Sequence, residues 1–265
     1  PLFRRRSMPS IKRPSSSPSP SEVTRLEAVA RRLNKAWSGL PAVEILRNAF
    51  ADSAFIKNPV LVSSFGADSA VLLHLLSLVD QSAEVVFLDT GFHFDETLAY
   101  RSELTRALGL TGVRVARVDP LEAKRHDAQG RLHRDQPDAC CQLRKVNTLH
   151  RHLRMNDAWI SGQRQAQSST RSELQCVEVD RLRGKLKINP LARWSEIEIA
   201  TYKVANDLLE HSLVSQGFLS VGCAPCTSSV MFGEASRAGR WRGFTKLECG
   251  LHDRTHIIAS SENVA

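Results

Sequence analysis

The fold is decided by the stretch Val60-Leu61-Val62-Ser63-Ser64-Phe65-Gly66-Ala67-Asp68-Ser69 and the apolar residues that follow it. The run at 60–64 is typical of a buried strand, and the pattern at 70–79 predicts a buried helix. Between them, small residues let the backbone wrap around an anion. The first N–H groups of the helix and the hydroxyls of Ser64 and Ser69 favour phosphate or sulfate. An ordinary strand–turn–helix with a glycine in the turn is the alternative.

Strand and helix patterns alternate along the rest of the chain. Strands are predicted at 60–64, 84–88, 114–118 and 158–161, and helices at 22–37, 70–79, 96–108 and from a capping box at Ser195 to about residue 209. Such alternation predicts an α/β fold with a mostly parallel sheet, helices on both faces, and ligands at the carboxyl ends of the strands. Beyond Gly217 the periodicity fades, which predicts an irregular layer over that binding edge.

The net charge of +8 is concentrated at the start of the chain. Residues 1–20 are rich in proline and serine, carry five positive charges and no acid, and are predicted to form a disordered basic tail. The remainder of the chain, whose main α/β domain is predicted at 21–235, is then modestly basic. Such a charge suits a small anionic substrate as well as a polynucleotide, and we do not expect nucleic acid as a partner. No apolar run approaches the ~18 residues of a membrane span, so we expect no membrane association.

Four of the six cysteines are grouped in two close pairs. Cys140-Cys141 and Cys223-Ala224-Pro225-Cys226 can converge on one metal centre, and both zinc and a four-iron four-sulfur cluster accept four thiolates. Cys249 stands apart beside a histidine, and we predict that it is a nucleophile on a mobile C-terminal segment, 236–265. Cys176 matches neither group and is predicted to be structural. Six cysteines are too few for a disulfide-rich secreted scaffold, so a cytoplasmic location is expected.

Several motifs match known families. The loop at 64–69 resembles the Ser-Gly-Gly-x-Asp-Ser loop of the adenine nucleotide α-hydrolases (PP-loop proteins), with Phe65 in place of the first glycine. Further motifs lie, in family order, at 162–168, Arg171, 188–191, 222–227, 237–241 and 248–252. Together they resemble the assimilatory adenylyl-sulfate and phosphoadenylyl-sulfate reductases. The four grouped cysteines resemble those of the iron–sulfur subgroup, whose main substrate is adenylyl sulfate (APS).

The resemblance implies a PP-loop fold and thioredoxin-dependent reduction of APS to sulfite and AMP, in sulfate assimilation for cysteine biosynthesis. A thiolate at Cys249 would attack the sulfur and expel AMP, leaving an S-sulfonate that reduced thioredoxin releases as sulfite. It also implies one 4Fe-4S cluster on Cys140, Cys141, Cys223 and Cys226. Because members of this family often self-associate, the resemblance is also compatible with a homo-oligomer.

Positive charge is required around the nucleophile and its polyanionic substrate, since a free cysteine has a pKa near ~8.5. The candidates are Lys145, Arg164, Arg171, Arg237, Arg240 and His252. Arginine forks bind sulfate and phosphate oxygens in pairs, so we predict that Arg237 and Arg240 clamp one anion. Lys145 is predicted to lie between the cluster and the substrate. For His252, a tail histidine outside the site is the alternative.

The nucleotide is predicted to lie at the carboxyl ends of the first strands and against the motif at 162–168. Leu88-Asp89-Thr90-Gly91 follows the second strand, where backbone groups can read a base; the tetrapeptide is otherwise an ordinary turn. The complete predicted nucleotide site comprises Ser64, Phe65, Gly66, Ala67, Asp68, Ser69, Leu88, Asp89, Thr90, Gly91, Gly162, Arg164 and Arg171.

Three alternatives stay open. The 3′-phosphorylated compound (PAPS) replaces APS as the substrate if a cation lies near the ribose 3′ position. A tRNA-thiolating PP-loop enzyme also combines an anion loop with cysteines, but it leaves the motif at 248–252 without a role. A zinc-stapled nucleotide-binding module would be non-catalytic.

Overall fold

A six-stranded sheet forms the centre of this computed structural model, which describes residues 18–51 and 53–252. The strands are β1 (Pro59–Ser63), β2 (Val85–Asp89), β3 (Val113–Arg117), β4 (Ala158–Ile160), β5 (Val177–Asp180) and β6 (Lys185–Ile188). Their order across the sheet is β3-β2-β1-β4-β6-β5. Neighbouring strands are parallel except β5 and β6, which form an antiparallel edge. The prediction of a mostly parallel sheet is confirmed.

The helices predicted from the sequence lie close to their expected positions, and the described residues contain further helices. Together they are α1 (Pro20–Trp37), α2 (Ala42–Phe50), α3 (Ser69–Ser77), α4 (Asp95–Ala107), α5 (Pro120–His126), α6 (Leu132–Asp135), α7 (Pro137–Cys141), α8 (Asn147–His152) and α9 (Glu196–Ala205). α1 begins on a capping box at Ser19, and the basic tail up to residue 17 lies outside the described residues. α9 begins on the predicted capping box at Ser195 but ends four residues earlier than predicted. Asp207 has φ +48°, and this left-handed conformation cannot continue a right-handed helix.

Alternate residues of the strands belong to two separate hydrophobic cores. Leu61 of β1 and Phe87 of β2 belong to the larger core, which includes residues of α1, α2, α3, α4 and α9. Val60 and Val86, one residue earlier on the same strands, pack on the opposite face with Leu149 of α8. Successive strand side chains point to opposite faces, so helices cover both sides of the sheet as predicted.

The binding edge lies where the strand order reverses. β1 pairs with β2 on one side and with β4 on the other. The chain leaves β1 and β4 through the loops at 64–68 and 161–164. In an open α/β sheet such a reversal opens a crevice at the carboxyl ends of the strands. Both loops therefore face the same crevice.

Residues 218–252 form the predicted irregular layer, with a 3₁₀ turn at Ala224–Cys226. This layer closes directly over the anion loop. A Cβ atom at Gly66 would come within 3.1 Å of the Val221 carbonyl oxygen, so a larger residue would push the two backbone segments apart by a few tenths of an ångström. Among the described residues, no helix is both long and apolar enough to cross a membrane.

Candidate active site

The loop after β1 turns the side chain of Phe65 away from the crevice. Phe65 has φ +47°, in the left-handed region that glycine adopts without strain. Its fully buried ring packs edge-to-face on Phe87, with ring centroids 5.6 Å apart. Ser64 and Ser69, in contrast, line the crevice. The residue that departs from the glycine-rich loop is therefore a core residue, and the loop keeps its wrapped backbone.

A cavity of about 230 Å³ occupies the crevice. Its wall contains most of the predicted site: Ser64, Gly66, Ala67, Asp68, Ser69, Leu88, Lys145, Gly162, Arg164, Arg171, Arg237, Arg240, Cys249 and His252. Five lysine and arginine side chains and two carboxylates, those of Asp68 and Glu248, line it, so three positive charges are not balanced. A cavity of this charge suits a small polyanion.

Arg164 joins the two loops of the crevice. Its Nη2 atom lies 2.5 Å from Oδ2 of Asp68, and its side chain is 3% exposed. Asp68 immediately precedes α3, so the ion pair spans from the loop after β4 to the loop after β1. Ser161 donates to Asn189 Oδ1 at 2.7 Å and fixes the start of the second loop.

The tetrapeptide after β2 divides between two places. Leu88 lines the cavity. Asp89 accepts hydrogen bonds from Arg117 Nε and from the Gly91 N–H, both at 2.9 Å. Thr90 Oγ1 lies 3.3 Å from Cys223 Sγ. Leu88 is therefore the member of this tetrapeptide that the structure brings to the predicted nucleotide site, and Thr90 belongs to the surroundings of the cysteines.

Cys140, Cys141, Cys223 and Cys226 line a second, smaller cavity. A π-helical turn, Gln142–Val146, follows directly after the adjacent pair, so the backbone departs from an ideal α-helix there. No group of three or more His, Cys, Asp or Glu side chains in the described part of the chain is arranged to hold a metal ion. Burial raises the pKa of Cys140 to about 12 and that of Cys141 to about 11. Thiols of this kind become ligands when a bound cation supplies the compensating charge.

Lys145 lies between the two cavities and lines both, which is where the sequence places it. Burial lowers the pKa of its ammonium group, but the sulfurs of Cys223, Cys249 and Cys141 raise it, and the net pKa is above the usual range. Its charge also helps to lower the pKa of Cys223, against the opposing effect of burial. One cation thus interacts with a cysteine of the predicted metal site and with the predicted nucleophile.

Cys249 reaches the cavity on a segment held through Glu248. The Glu248 carboxylate accepts hydrogen bonds from Arg171 Nε at 2.9 Å and Arg171 Nη2 at 2.8 Å. Arg237 Nη2 donates to the same carboxylate at 3.2 Å. Two of the arginines predicted to bind the substrate therefore bind a carboxylate next to the predicted nucleophile.

Arg240 differs from the other arginines of the wall. Arg164, Arg171 and Arg237 each pair with a carboxylate, whereas no ion pair of residues 18–51 and 53–252 includes Arg240. Its Cζ atom lies 4.6 Å from the centroid of the Trp241 ring. The two arginines predicted to clamp one anion therefore differ in their partners: Arg237 is paired with Glu248, and Arg240 has no carboxylate partner among the described residues.

His252 belongs to the cavity wall. It stacks on Trp159, with ring centroids 5.2 Å and planes 24° apart. Burial lowers the pKa of the imidazole well below 6.5, and the surrounding cations, Lys187 foremost, lower it further. The ring is therefore neutral at pH 7, and it occupies the site instead of extending away from it.

The cavity wall also contains residues that were not predicted from the sequence, and Glu248 and Trp159 are two of them. Glu248 lies in the motif that carries Cys249, so membership of that motif was the available signal. Trp159 lies within β4, where an aromatic residue is ordinarily part of a core, and no sequence feature distinguishes it. Cys176 packs against the larger core, in agreement with its predicted structural role.

The fold and the site define a class: an α/β protein of PP-loop architecture whose anion loop faces a cationic cavity with a cysteine in its wall. The family model described as phosphoadenosine phosphosulfate reductase domain matches residues 58–229. Adenosine 5'-phosphosulfate reductase of Mesorhizobium japonicum is 43% identical over 225 residues, 85% of this chain and 87% of the relative. Phosphoadenosine 5'-phosphosulfate reductase of Gloeobacter violaceus is 42% identical and covers 86% of this chain and 94% of the relative. The chain belongs to the phosphoadenosine phosphosulfate reductase family.

Solved structures agree with this assignment. Phosphoadenylyl-sulfate (PAPS) reductase from Candida auris, in a phosphate complex, is 25% identical, has a TM-score of 0.62 and covers 82% of this chain and 100% of its own. Candida glabrata FMN adenylyltransferase, at 14% identity and TM-score 0.51, covers 78% of this chain and 75% of its own and shares the fold alone. The predicted PP-loop fold is confirmed.

Proposed function

We propose that the protein reduces adenylyl sulfate to sulfite and AMP. One observation carries the proposal: Cys249 lies in the wall of a cavity that also holds the anion loop and five cationic side chains. A nucleophilic sulfur, a phosphate-binding loop and excess positive charge are the three features that attack on a nucleotide-linked sulfate requires. The names of the relatives support the same reaction.

The chemistry divides into two thiol steps. The Cys249 thiolate attacks the sulfur of APS, a sulfur–oxygen bond breaks, and AMP leaves with the electron pair. A thiol of reduced thioredoxin then attacks Cys249 Sγ, and sulfite departs with the electrons of the sulfur–sulfur bond. The second thioredoxin thiol resolves the mixed disulfide and restores Cys249. The proposal thus includes reduced thioredoxin as the reductant, AMP as the product and the cytoplasm as the location of the reaction.

The residues of the wall have distinct proposed roles. Ser64, Ser69 and the N-terminus of α3 bind the phosphate of the nucleotide. Arg240 and Lys145 face the sulfate, because neither is engaged in an ion pair with a carboxylate among the described residues. Both would stabilise the negative charge that crosses from thiolate to leaving group in the transition state.

Cys140, Cys141, Cys223 and Cys226 fit a 4Fe-4S cluster, since four cysteines around one cavity are the donor set that such a cluster takes. When bound, the cluster would supply a charged inorganic group next to Lys145. Zinc accepts the same ligands, so iron and sulfide analysis with an absorption spectrum decides between them. Iron and sulfide near four per chain, in a brown protein, support the cluster, and zinc at one per chain would contradict it.

The reaction is tested by mass spectrometry of the intact protein. Wild type mixed with APS, without reductant, is expected to gain one SO₃ unit on Cys249, and Cys249→Ser to gain none. Cys176→Ser is the matched control, because Cys176 packs against the core, and it should be modified like the wild type. An unmodified wild type under anaerobic conditions would reject the proposal.

PAPS is the second candidate substrate, because one relative at 42% identity is named for it. We expect kcat/KM to be higher for APS, in keeping with the four grouped cysteines. A higher value for PAPS would reverse the assignment without changing the mechanism.

A further inference from the structure

Glu248 presents a carboxylate where an incoming anion would otherwise meet two arginines. Arg171 binds it as a fork, with Nε on one oxygen and Nη2 on the other. Arg237 adds a third hydrogen bond and the Thr170 hydroxyl, at 3.3 Å, a fourth. The Arg171 side chain is 10% exposed and that of Glu248 is 28% exposed. A fork shielded from water in this way is stronger than an ion pair on the surface.

The segment is fixed a second time beyond Cys249. Arg183 Nη1 donates to the Leu251 carbonyl oxygen at 3.2 Å. The His252 ring stacks on the wall of the cavity. Gly250, with φ +76°, makes the turn between the two anchors. Cys249 is thus held from both sides, one residue after the first anchor and two before the second.

The carboxylate can have one of two consequences for the reaction. If it competes with the substrate for Arg171 and Arg237, its removal strengthens anion binding. If it holds the nucleophile in place, its removal slows the attack and leaves nucleotide binding unchanged. The second consequence fits the wall better, because Arg240 and Lys145 still face the cavity without a carboxylate partner in the described residues.

We infer that Glu248 is a positioning residue, which holds Cys249 at the substrate through its fork with Arg171 and its bond to Arg237. The inference rests on the proposed function for its kinetic consequence but not for its structural one. The charge of the substrate is then balanced by Lys145 and Arg240. Arg171 and Arg237 instead bind the segment that carries Cys249. In this arrangement the pair Arg171 and Arg237 contributes to the rate of sulfur transfer more than to substrate affinity.

The variant Glu248→Gln tests the inference with almost no change in volume. One of the two oxygens becomes an amide, which cannot accept from the arginine donors. Glu248→Asp keeps the charge but shortens the side chain by one methylene group. It is expected to restore part of what Glu248→Gln loses. The matched control is Glu234→Gln, because Glu234 makes a similar fork with Arg242 in the same layer without lining the cavity.

Three measurements are made on each full-length variant. Hydrogen–deuterium exchange of the peptide around 247–252 reports how tightly the segment is held, whatever reaction the protein performs. Single-turnover formation of the Cys249 S-sulfonate from APS reports the attack, and AMP binding reports the nucleotide site. We expect Glu248→Gln to exchange faster, to form the S-sulfonate roughly 10- to 100-fold more slowly, and to bind AMP like the wild type.

The outcomes separate the two proposals. Wild type that forms no S-sulfonate, with faster exchange in Glu248→Gln, rejects the proposed function and keeps the anchor. Unchanged exchange and an unchanged rate in Glu248→Gln overturn the inference. Tighter AMP or sulfate binding by that variant also overturns it, in favour of competition with the substrate. An effect of equal size in Glu234→Gln shows that the loss is one of general stability and overturns it as well.

Discussion

Phe65 offers a sharp test of how the anion loop is built. Its ring is fully buried against Phe87, while its backbone is left-handed. Truncating a buried phenylalanine to alanine costs about 3–5 kcal/mol, and a left-handed conformation costs a residue with a Cβ atom about 1–2 kcal/mol. The first effect is larger, so the native residue is expected to be more stable than glycine at this position.

The two truncations therefore have a predicted order. Phe65→Ala loses the ring and keeps the strain, so its free energy of unfolding falls by about 3–5 kcal/mol. Phe65→Gly loses the ring but relieves the strain, and should be about 1 kcal/mol more stable than Phe65→Ala. For a chain of this size each kcal/mol shifts the melting temperature by roughly 2–4 °C, well within the reach of circular dichroism.

The refuting results are specific. If Phe65→Ala melts at or above the temperature of Phe65→Gly, the left-handed backbone does not determine the preference at this position. If Phe65→Gly is as stable as the wild type, the aromatic contact with Phe87 contributes nothing and the loop tolerates glycine as freely as the related loops do.

Two further predictions concern the irregular layer. The pKa of His252 is lowered in the folded protein, so the stability that its neutral ring contributes is complete above about pH 6.5 and is lost as the pH falls below that value. The melting temperature of the wild type should therefore drop relative to that of His252→Phe between pH 7 and pH 5. A constant difference between the two melting temperatures would contradict this. A Cβ atom at Gly222 would lie 2.3 Å from Arg240 Nη2, so Gly222→Ala should displace the guanidinium and raise KM for APS about tenfold. Gly39→Ala, where no atom lies within 4 Å, is the control, and an unchanged KM in Gly222→Ala would show that Arg240 does not bind the substrate.

Much of the fold could be predicted because hydrophobic periodicity is a local property. The four parallel strands of the predicted core, β1 to β4, lie within a residue or two of their expected bounds. The edge hairpin of β5 and β6 was not predicted as such. Lys187 lies in that hairpin and is buried, which its charge does not lead one to expect. It is paired with Glu178 at 3.1 Å, a partner that becomes visible only when the strands are brought together.

The site shows the same division between local and long-range information. Most of the predicted residues lie in the cavity wall because the motifs that contain them follow the ends of strands or lie in the irregular layer. The pairing of the charges did not, because Arg171 and Glu248 are 77 residues apart in the chain. The sequence identified cations suited to an anion, and it could not show that one of the anions is part of the protein.

The backbone around the two cysteines of the irregular layer also positions Arg240. The Trp241 N–H donates to the Cys226 carbonyl at 2.9 Å, and Arg240 forms a bridge with Thr227. Gly222, directly before Cys223, lies beneath the Arg240 guanidinium. The backbone around the Cys-x-x-Cys motif therefore sets the place of Arg240. In the proposed mechanism, a group bound by these cysteines would rigidify Arg240 and would pass no electron to the substrate, because the two proposed thiol steps at Cys249 account for both electrons of the reduction.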